Sequence, residues 1–274
     1  MSASGFGCIV FFAGSDRPTK GTRMNLNEQT VLVTGGGRGL GSALVRAFAG
    51  QGANVVINYR TSREAAEKLA AEVGGVALHA DVTQTDQVDA LFTAAEKHFG
   101  TTITTVVNNA LADFSFNGDA RDKADTISWQ QFDAQFQGAV RAALITTQRA
   151  LAGMRAVGFG RIINVGTNLF QNPVVPYHDY TASKAALLSL TRTLSADLGA
   201  DGITVNMVSG GLLRTTDASA ATPDEVFDMI AASTPLQRVV TPEEFADALL
   251  FFASPWSRSV TGQNLVVDGG LVKD

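Results

Sequence analysis

The stretch Tyr180-Thr-Ala-Ser-Lys184 sets a phenol and an ammonium four residues apart. On a helix that spacing puts both side chains on one face. A free tyrosine titrates near ~10, too high for an efficient proton donor at neutral pH. At roughly 5 Å and an effective dielectric near 20, the lysine charge favours phenolate by about 3 kcal/mol. That is about two pKa units, enough to make the phenol a usable acid and base. His178 and Asp179 immediately precede Tyr180 and could tune it, although a lone histidine beside a pocket is more often a wall residue. The same spacing also suits an exposed phenol beside a solvated amine, so its meaning rests on the elements around it.

Those elements alternate. Short β-branched runs at 30–34, 54–59, 76–80, 103–108, 161–165, 203–208 and 264–267 are strand candidates. Amphipathic helical patterns lie near 40–51, 62–73, 85–99, 129–157, 180–199 and 242–253. Several strands are continuous apolar runs, as when helices cover both faces of a parallel sheet. The alternation predicts an α/β fold: a single doubly wound Rossmann-type domain with a mostly parallel, seven-stranded sheet. No Pro/Ser-rich linker, low-complexity block or repeat divides residues 26–274.

The first strand runs into Thr34-Gly-Gly-Gly-Arg-Gly-Leu-Gly41, followed by a helix. Glycines at 35, 39 and 41 let the backbone turn tightly and approach a pyrophosphate, which the helix N-terminus then receives. The second strand ends in Asn58-Tyr-Arg-Thr-Ser-Arg63, with no acid before Glu64. A carboxylate there would bond a ribose 2′-hydroxyl. Arg38, Arg60, Arg63 and the Thr61 and Ser62 hydroxyls instead suit a 2′-phosphate, which points to NADP(H). Asp81-Val82 ends the third strand. Its carboxylate either accepts from an adenine amino group or caps the helix starting near Thr85. Asn108-Asn109-Ala110 ends the fourth strand, on the crevice side of a parallel sheet, or stitches that strand to the glycine loop. The polar excursion from Leu111 to Ser128 carries Phe114 and Phe116. Such loops shape substrate pockets; local packing is the plainer role for the two rings.

Composition narrows the class. Of 274 residues, 45% are apolar and 17% charged, and the net charge is −5. No basic run suggests nucleic acid, and no apolar run reaches the ~18 residues of a membrane span. The single Cys8 excludes an internal disulfide framework and fits a reducing, cytoplasmic setting. Residues 1–25 read as a poorly ordered extension. Their apolar stretch Phe6–Gly14 precedes the basic residues, the reverse of a secretory signal. Either Met24 is the functional start or the segment is a membrane or partner tag.

Together, Thr34–Gly41, Asn108–Ala110 and the Tyr180/Lys184 pair resemble the short-chain dehydrogenase/reductase family over about residues 27–272. Gly160–Val165, Gly202–Asn206 and Val267–Gly270 are similar to stretches of 3-oxoacyl-(acyl-carrier-protein) reductases. The resemblance implies NADP(H) contacts at Gly35, Gly37, Arg38, Gly39, Leu40, Gly41, Tyr59, Arg60, Thr61, Asp81, Val82, Asn109, Ala110, Tyr180, Lys184, Gly211, Leu213 and Thr215. It implies Thr167, Tyr180 and Lys184 as catalytic residues, no metal, and a homotetramer. Thr167 stands thirteen residues before Tyr180, where the family has serine; the added methyl narrows the pocket. The family's fourth catalytic residue, an asparagine holding a relay water, falls on Ala139, so backbone or Gln137 would replace it. Gly210 takes the place of a proline, which should loosen the turn before Leu213. Thr216–Pro235 resembles a mobile substrate lid. Tyr177 and Lys184 have the spacing of enoyl reductases, but those lack a tyrosine at the Tyr180 position.

The expected reaction is NADPH-dependent reduction of a 3-oxoacyl thioester or similar ketone. A dehydrogenase of a sugar, polyol or other small alcohol is the alternative. An NADP(H)-binding sensor or scaffold without turnover is an alternative of another class. An acyl-carrier protein is a doubtful partner, because the positions that are basic in carrier-protein reductases are Gly158 and Asp201 here.

Overall fold

Burial on both faces explains why the apolar runs became strands. They are β1 (Thr30–Val33), β2 (Asn54–Tyr59), β3 (Val76–His79), β4 (Thr105–Asn108), β5 (Gly160–Thr167), β6 (Ile203–Gly210) and β7 (Asn264–Val267). The computed structural model describes residues 23–111, 114, 116, 120–216, 219–220 and 222–273. The seven strands form one sheet in the order β3-β2-β1-β4-β5-β6-β7, and every neighbouring pair is parallel. The fold is thus the expected doubly wound one, and fully parallel.

Helices α1 (Gly39–Gly50), α2 (Arg63–Val73) and α8 (Pro242–Ala253) cover one face. There Leu44, Phe48, Phe245 and Leu249 pack with Val31, Val33 and Ile163. On the other face, α3 (Thr85–Phe99), α5 (Ala142–Val157) and α6 (His178–Leu198) pack Leu91, Phe92, Met154 and Leu198 with Leu32, Val106 and Ile162. Thr241 and Glu244 form a reciprocal capping box with Pro242 in the first turn, which starts α8 where the apolar pattern begins. The chain reverses its direction of travel across the sheet between β1 and β4, so their carboxyl ends open the ligand crevice.

Three local differences bear on function. First, the helical pattern at 129–157 is not one helix: α4 (Trp129–Phe136) joins α5 through a π-helical turn, Gln137–Arg141. Such turns recur at functional sites. Second, β5 and β6 each run two residues beyond the expected ends, bringing Thr167 into register with Gly210. Third, α7 (Asp224–Ser233) lies inside the segment read as a lid. Pro223 before it and Asp224 and Glu225 in its first turn are helix-start signals, but Phe227 is its one buried residue, so the apolar stripe was faint. Of the expected extension, residues 1–22, including Cys8, lie outside the described residues. Gln29 is buried and donates to the Ala253 carbonyl at 2.9 Å. No helix among the described residues is long and apolar enough to cross a membrane.

Candidate active site

The glycine turn is built of bare backbone. Gly35 takes φ +62°, a left-handed value that favours glycine. A Cβ on Gly41 would collide with the Gly35 carbonyl, and one on Gly37 would lie 2.7 Å from the Ser62 hydroxyl. The turn delivers Arg38, Gly39 and Leu40 to the start of α1, where unpaired amides and the dipole suit a pyrophosphate. Thr34 and Asn109 hold it. Thr34 Oγ1 accepts from the Asn109 and Ala110 amides at 2.9 Å each, and Asn109 Nδ2 donates to the Thr34 carbonyl at 2.9 Å. Asn109 is therefore the stitch between β4 and the loop. Asn58, absent from the expected set, does the same from β2. It accepts the Gly36 amide at 2.8 Å and the Gly35 amide at 3.2 Å, and donates to the Ala80 carbonyl at 3.0 Å. Its position at a strand end was the available signal.

At the end of β2 the Tyr59 ring is turned into the core beside His79, and Arg60 and Thr61 after it are exposed. Arg38 is exposed as well. A turn in which Gly41 has no room for a Cβ, leading into the start of α1, fits a dinucleotide. Asp81 does not cap α3, whose N-cap is Gln84. Its Oδ1 accepts instead from the Thr83 amide at 2.9 Å and hydroxyl at 2.7 Å. Burial works to raise the Asp81 pKa, but the Thr83 bonds and the Arg60 and His79 charges hold it below the ordinary value.

At the other end of the crevice, Thr167 is the last residue of β5, and Tyr180 and Lys184 lie on the buried face of α6. The depressed phenol expected from the Tyr/Lys spacing is not what the fold produces. Burial pushes Tyr180 up to about 12; the Thr167 hydroxyl pulls it down and Tyr177 pushes it further up. Burial also pushes Lys184 down to about 8. Lys184 Nζ donates to the Val165 carbonyl at 2.7 Å and lies 5.9 Å from the Tyr180 ring centroid. Both groups are desolvated, which disfavours both charges. The phenol consequently keeps its proton, the form that carbonyl reduction needs.

Beside Lys184 is a cavity of about 10 Å³ lined by Val82, Asn108, Gly138 and Ala139. That is close to the minimum for one water. Ala139, on the π turn, is one of its walls. Gln137 does not fill the role: it accepts from Arg141 at 2.8 Å and donates to Asp133 at 3.4 Å. Asn108 is bonded to Asn164 at 2.8 Å and Thr146 at 2.7 Å.

The substrate side is aromatic. Phe114 stacks on Tyr180 at 4.7 Å, and Phe116 meets it edge-on at 5.5 Å. Tyr177, just before α6, joins both phenylalanines. Arg121, which no sequence signal marked, donates to both oxygens of buried Asp179 at 2.6 and 2.7 Å. Asp179 is thus committed to Arg121 rather than to Tyr180. An open cleft of about 320 Å³ runs along Pro173–His178 and Thr181. Opposite, the turn without proline is tied by side chains. Gly210 keeps its strand pairing, with room for a Cβ closed to 3.1 Å by Phe245. Gly211 rests against Asn168 and Asp268. Leu213 is buried and bridges to Val240, its carbonyl accepts the Ser219 hydroxyl at 2.7 Å, and Thr215 is exposed.

Comparison with known proteins places this geometry. Residues 35–272 match the family model described as enoyl-(acyl carrier protein) reductase. A hydroxynaphthalene reductase-like protein from Metarhizium guizhouense is 32% identical over 269 residues, covering 92% of this chain and 97% of that protein. A short chain dehydrogenase from Claviceps purpurea is 34% identical over 262 residues, covering 89% and 96%. The crystal structure of a proposed gluconate dehydrogenase from Agrobacterium tumefaciens superposes with a TM-score of 0.81 at 27% identity, covering 90% and 97%.

Proposed function

The chain belongs to the short-chain dehydrogenase/reductase family, and on that premise we propose that it reduces a ketone to a secondary alcohol with NADPH, Tyr180 giving the proton. Membership makes it an oxidoreductase of carbonyls and alcohols that uses a nicotinamide cofactor. The observation that carries the finer reading is Tyr180: a buried, protonated phenol between the Thr167 hydroxyl and Lys184. The nicotinamide supplies the hydride when bound. Thr167 donates to the carbonyl oxygen, Tyr180 protonates it, and Lys184 holds the cofactor ribose and resupplies the proton. Arg38 and Arg60 select the 2′-phosphate. Tyr177 has the enoyl-reductase spacing, but the Thr167 hydroxyl is bonded to Tyr180, which favours the carbonyl reaction at Tyr180.

The proposed substrate is a 3-oxoacyl thioester or another ketone, without dependence on a carrier protein. Asp201 pairs with Arg155 at 2.7 Å and Arg161 is buried against Phe159, which leaves exposed Arg192 as the nearby arginine that an acidic carrier would have to use. The relative named for hydroxynaphthalene supports a cyclic carbonyl within the same reaction. A homotetramer in a cytoplasmic setting completes the reading, with exposed Trp256 and Leu265 near α8 and β7 available for subunit contact.

The test is cofactor consumption with acetoacetyl-CoA, its carrier-bound form and small ketones, using NADPH and NADH in parallel. NADPH oxidation that vanishes in Tyr180→Phe while NADPH still binds is the expected result. Tight NADPH binding with no ketone reduced would instead indicate a sensor or scaffold. A hundredfold preference for the carrier-bound form that collapses with salt would overturn carrier independence.

A further inference from the structure

We infer that Phe114 and Phe116 make the site selective for planar aromatic ketones, by ring stacking beside Tyr180. The inference rests on the ketone-reductase reading and adds the substrate class. Tyr180 is only 6% exposed, although its hydroxyl must reach a substrate oxygen. What covers it is aromatic: Phe114 lies nearly parallel to its ring, at an interplanar angle of 27°, and Phe116 stands across it at 77°. A ketone whose oxygen reaches both Tyr180 and Thr167 must therefore lie against these phenylalanines.

The wall is pre-organised. The Arg121 guanidinium carbon is 4.2 Å from the Phe114 centroid and 5.8 Å from that of Tyr177. The same guanidinium is bonded to both oxygens of Asp179, the residue before Tyr180. The position of Phe114 is thereby keyed to the helix that carries the proton donor. A flexible acyl chain gains only burial against such a wall, whereas a flat ring also gains offset or edge-on stacking. Two such contacts amount to roughly tenfold in affinity. The cleft of about 320 Å³ that shares Tyr177 has room for a fused bicyclic ligand. Its walls at Pro173, Val174, Val175 and Pro176 are apolar, with His178 at its edge and the Thr181 hydroxyl donated to the Tyr177 carbonyl at 2.7 Å. The reaction is otherwise unchanged: a hydride passes from NADPH to the carbonyl carbon and a proton from Tyr180 to its oxygen.

The experiment pairs ligands of equal size and different flatness. One measurement is kcat/KM with NADPH for 2-tetralone against 2-decalone. The other is the Kd of 2-naphthol against 2-decalol for the NADP⁺-loaded protein, by calorimetry. The aromatic member should be favoured at least about tenfold in both. Phe114→Leu/Phe116→Leu should bring both ratios within about threefold without changing NADPH affinity, and Phe114→Tyr should keep them. Equal treatment of the two ligands by the wild type, or an unchanged ratio in the double leucine variant, overturns the inference. Tight 2-naphthol binding with neither ketone reduced would sink the reductase reading while leaving the aromatic site standing.

Discussion

The two halves of the crevice are made of different material. The half proposed to hold the cofactor, from β1 through β4, is held by backbone and by residues close to strand ends. The Gly35–Gly41 turn, Thr34, Asn58 and Asn109 fix one another through hydrogen bonds of 2.8–3.3 Å. The substrate half is held by side chains from separate excursions: Phe114, Phe116 and Arg121 after β4, and Tyr177, Asp179 and Tyr180 at the start of α6. A backbone cradle tolerates little change and binds a chemically constant ligand. A side-chain wall can be rebuilt by substitution without disturbing the sheet, so substrate range is expected to reside there.

The sharpest way to break this division is at Tyr180, where the halves meet. Tyr180→Phe should lower kcat by about 10³-fold or more, within the range of general acid catalysis, while NADPH affinity measured by fluorescence stays near wild type. A mild Tyr180→Phe beside a lethal Tyr177→Phe would reassign the proton donor. Thr167→Ala should cost roughly 10²–10³-fold in kcat, the worth of one oxyanion-type donor. Thr167→Ser should retain activity or exceed wild type.

The next effect is on stability and belongs to the substrate half. Arg121→Ala leaves the Asp179 carboxylate, 2% exposed, without its partner. An abandoned buried charge costs about 3 kcal/mol or more, which lowers the melting temperature of a chain this size by several degrees. Adding Asp179→Asn should recover most of the loss. A melting temperature insensitive to Arg121→Ala would show that the wall is held by something else. In the cofactor half, Arg60→Glu should cut the NADPH-over-NADH ratio of kcat/KM by about tenfold or more. No change would remove Arg60 from the 2′-phosphate site.

The smallest effect reads the burial of Lys184. Unfolded, its ammonium keeps its proton to near the ordinary lysine value of 10.5; folded, it gives it up above about 8. Between those values the unfolded state binds more protons, so this group makes stability rise with pH. From pH 8 to 9 the contribution is about 1 kcal/mol, visible as a higher urea midpoint and missing from Lys184→Met. Tyr180 acts oppositely, but only from about pH 10, where an unfolded tyrosine ionises and the folded one, near 12, does not. A fall in midpoint from pH 8 to 9 that Lys184→Met abolishes would contradict the assigned direction.

How far the sequence could be read follows the same division. The strand runs, the glycine turn and the Tyr/Lys face are local patterns, and each appeared within two residues of its expected place. The departures were of two kinds, local turns that periodicity does not report and contacts between residues distant in sequence. Asp81 found Thr83 rather than α3. Asp179 found Arg121, fifty-eight residues away. The π turn interrupted what periodicity alone reads as one helix. The pKa values failed for a sharper reason: spacing reports that two groups are near, but not how much water surrounds them.

By itself, then, the chain determined a parallel doubly wound sheet, a tight glycine turn before the first helix, and a tyrosine and lysine on one helical face. Periods of two and 3.6 residues and the special backbone of glycine are written locally. Only the tertiary structure decided which groups lose solvent and which side chains meet across excursions. It therefore decided the protonated state of Tyr180, the cavity at Ala139 and the aromatic wall of Phe114 and Phe116. Desolvation and packing depend on every chain segment around a site, and no single stretch of sequence contains them.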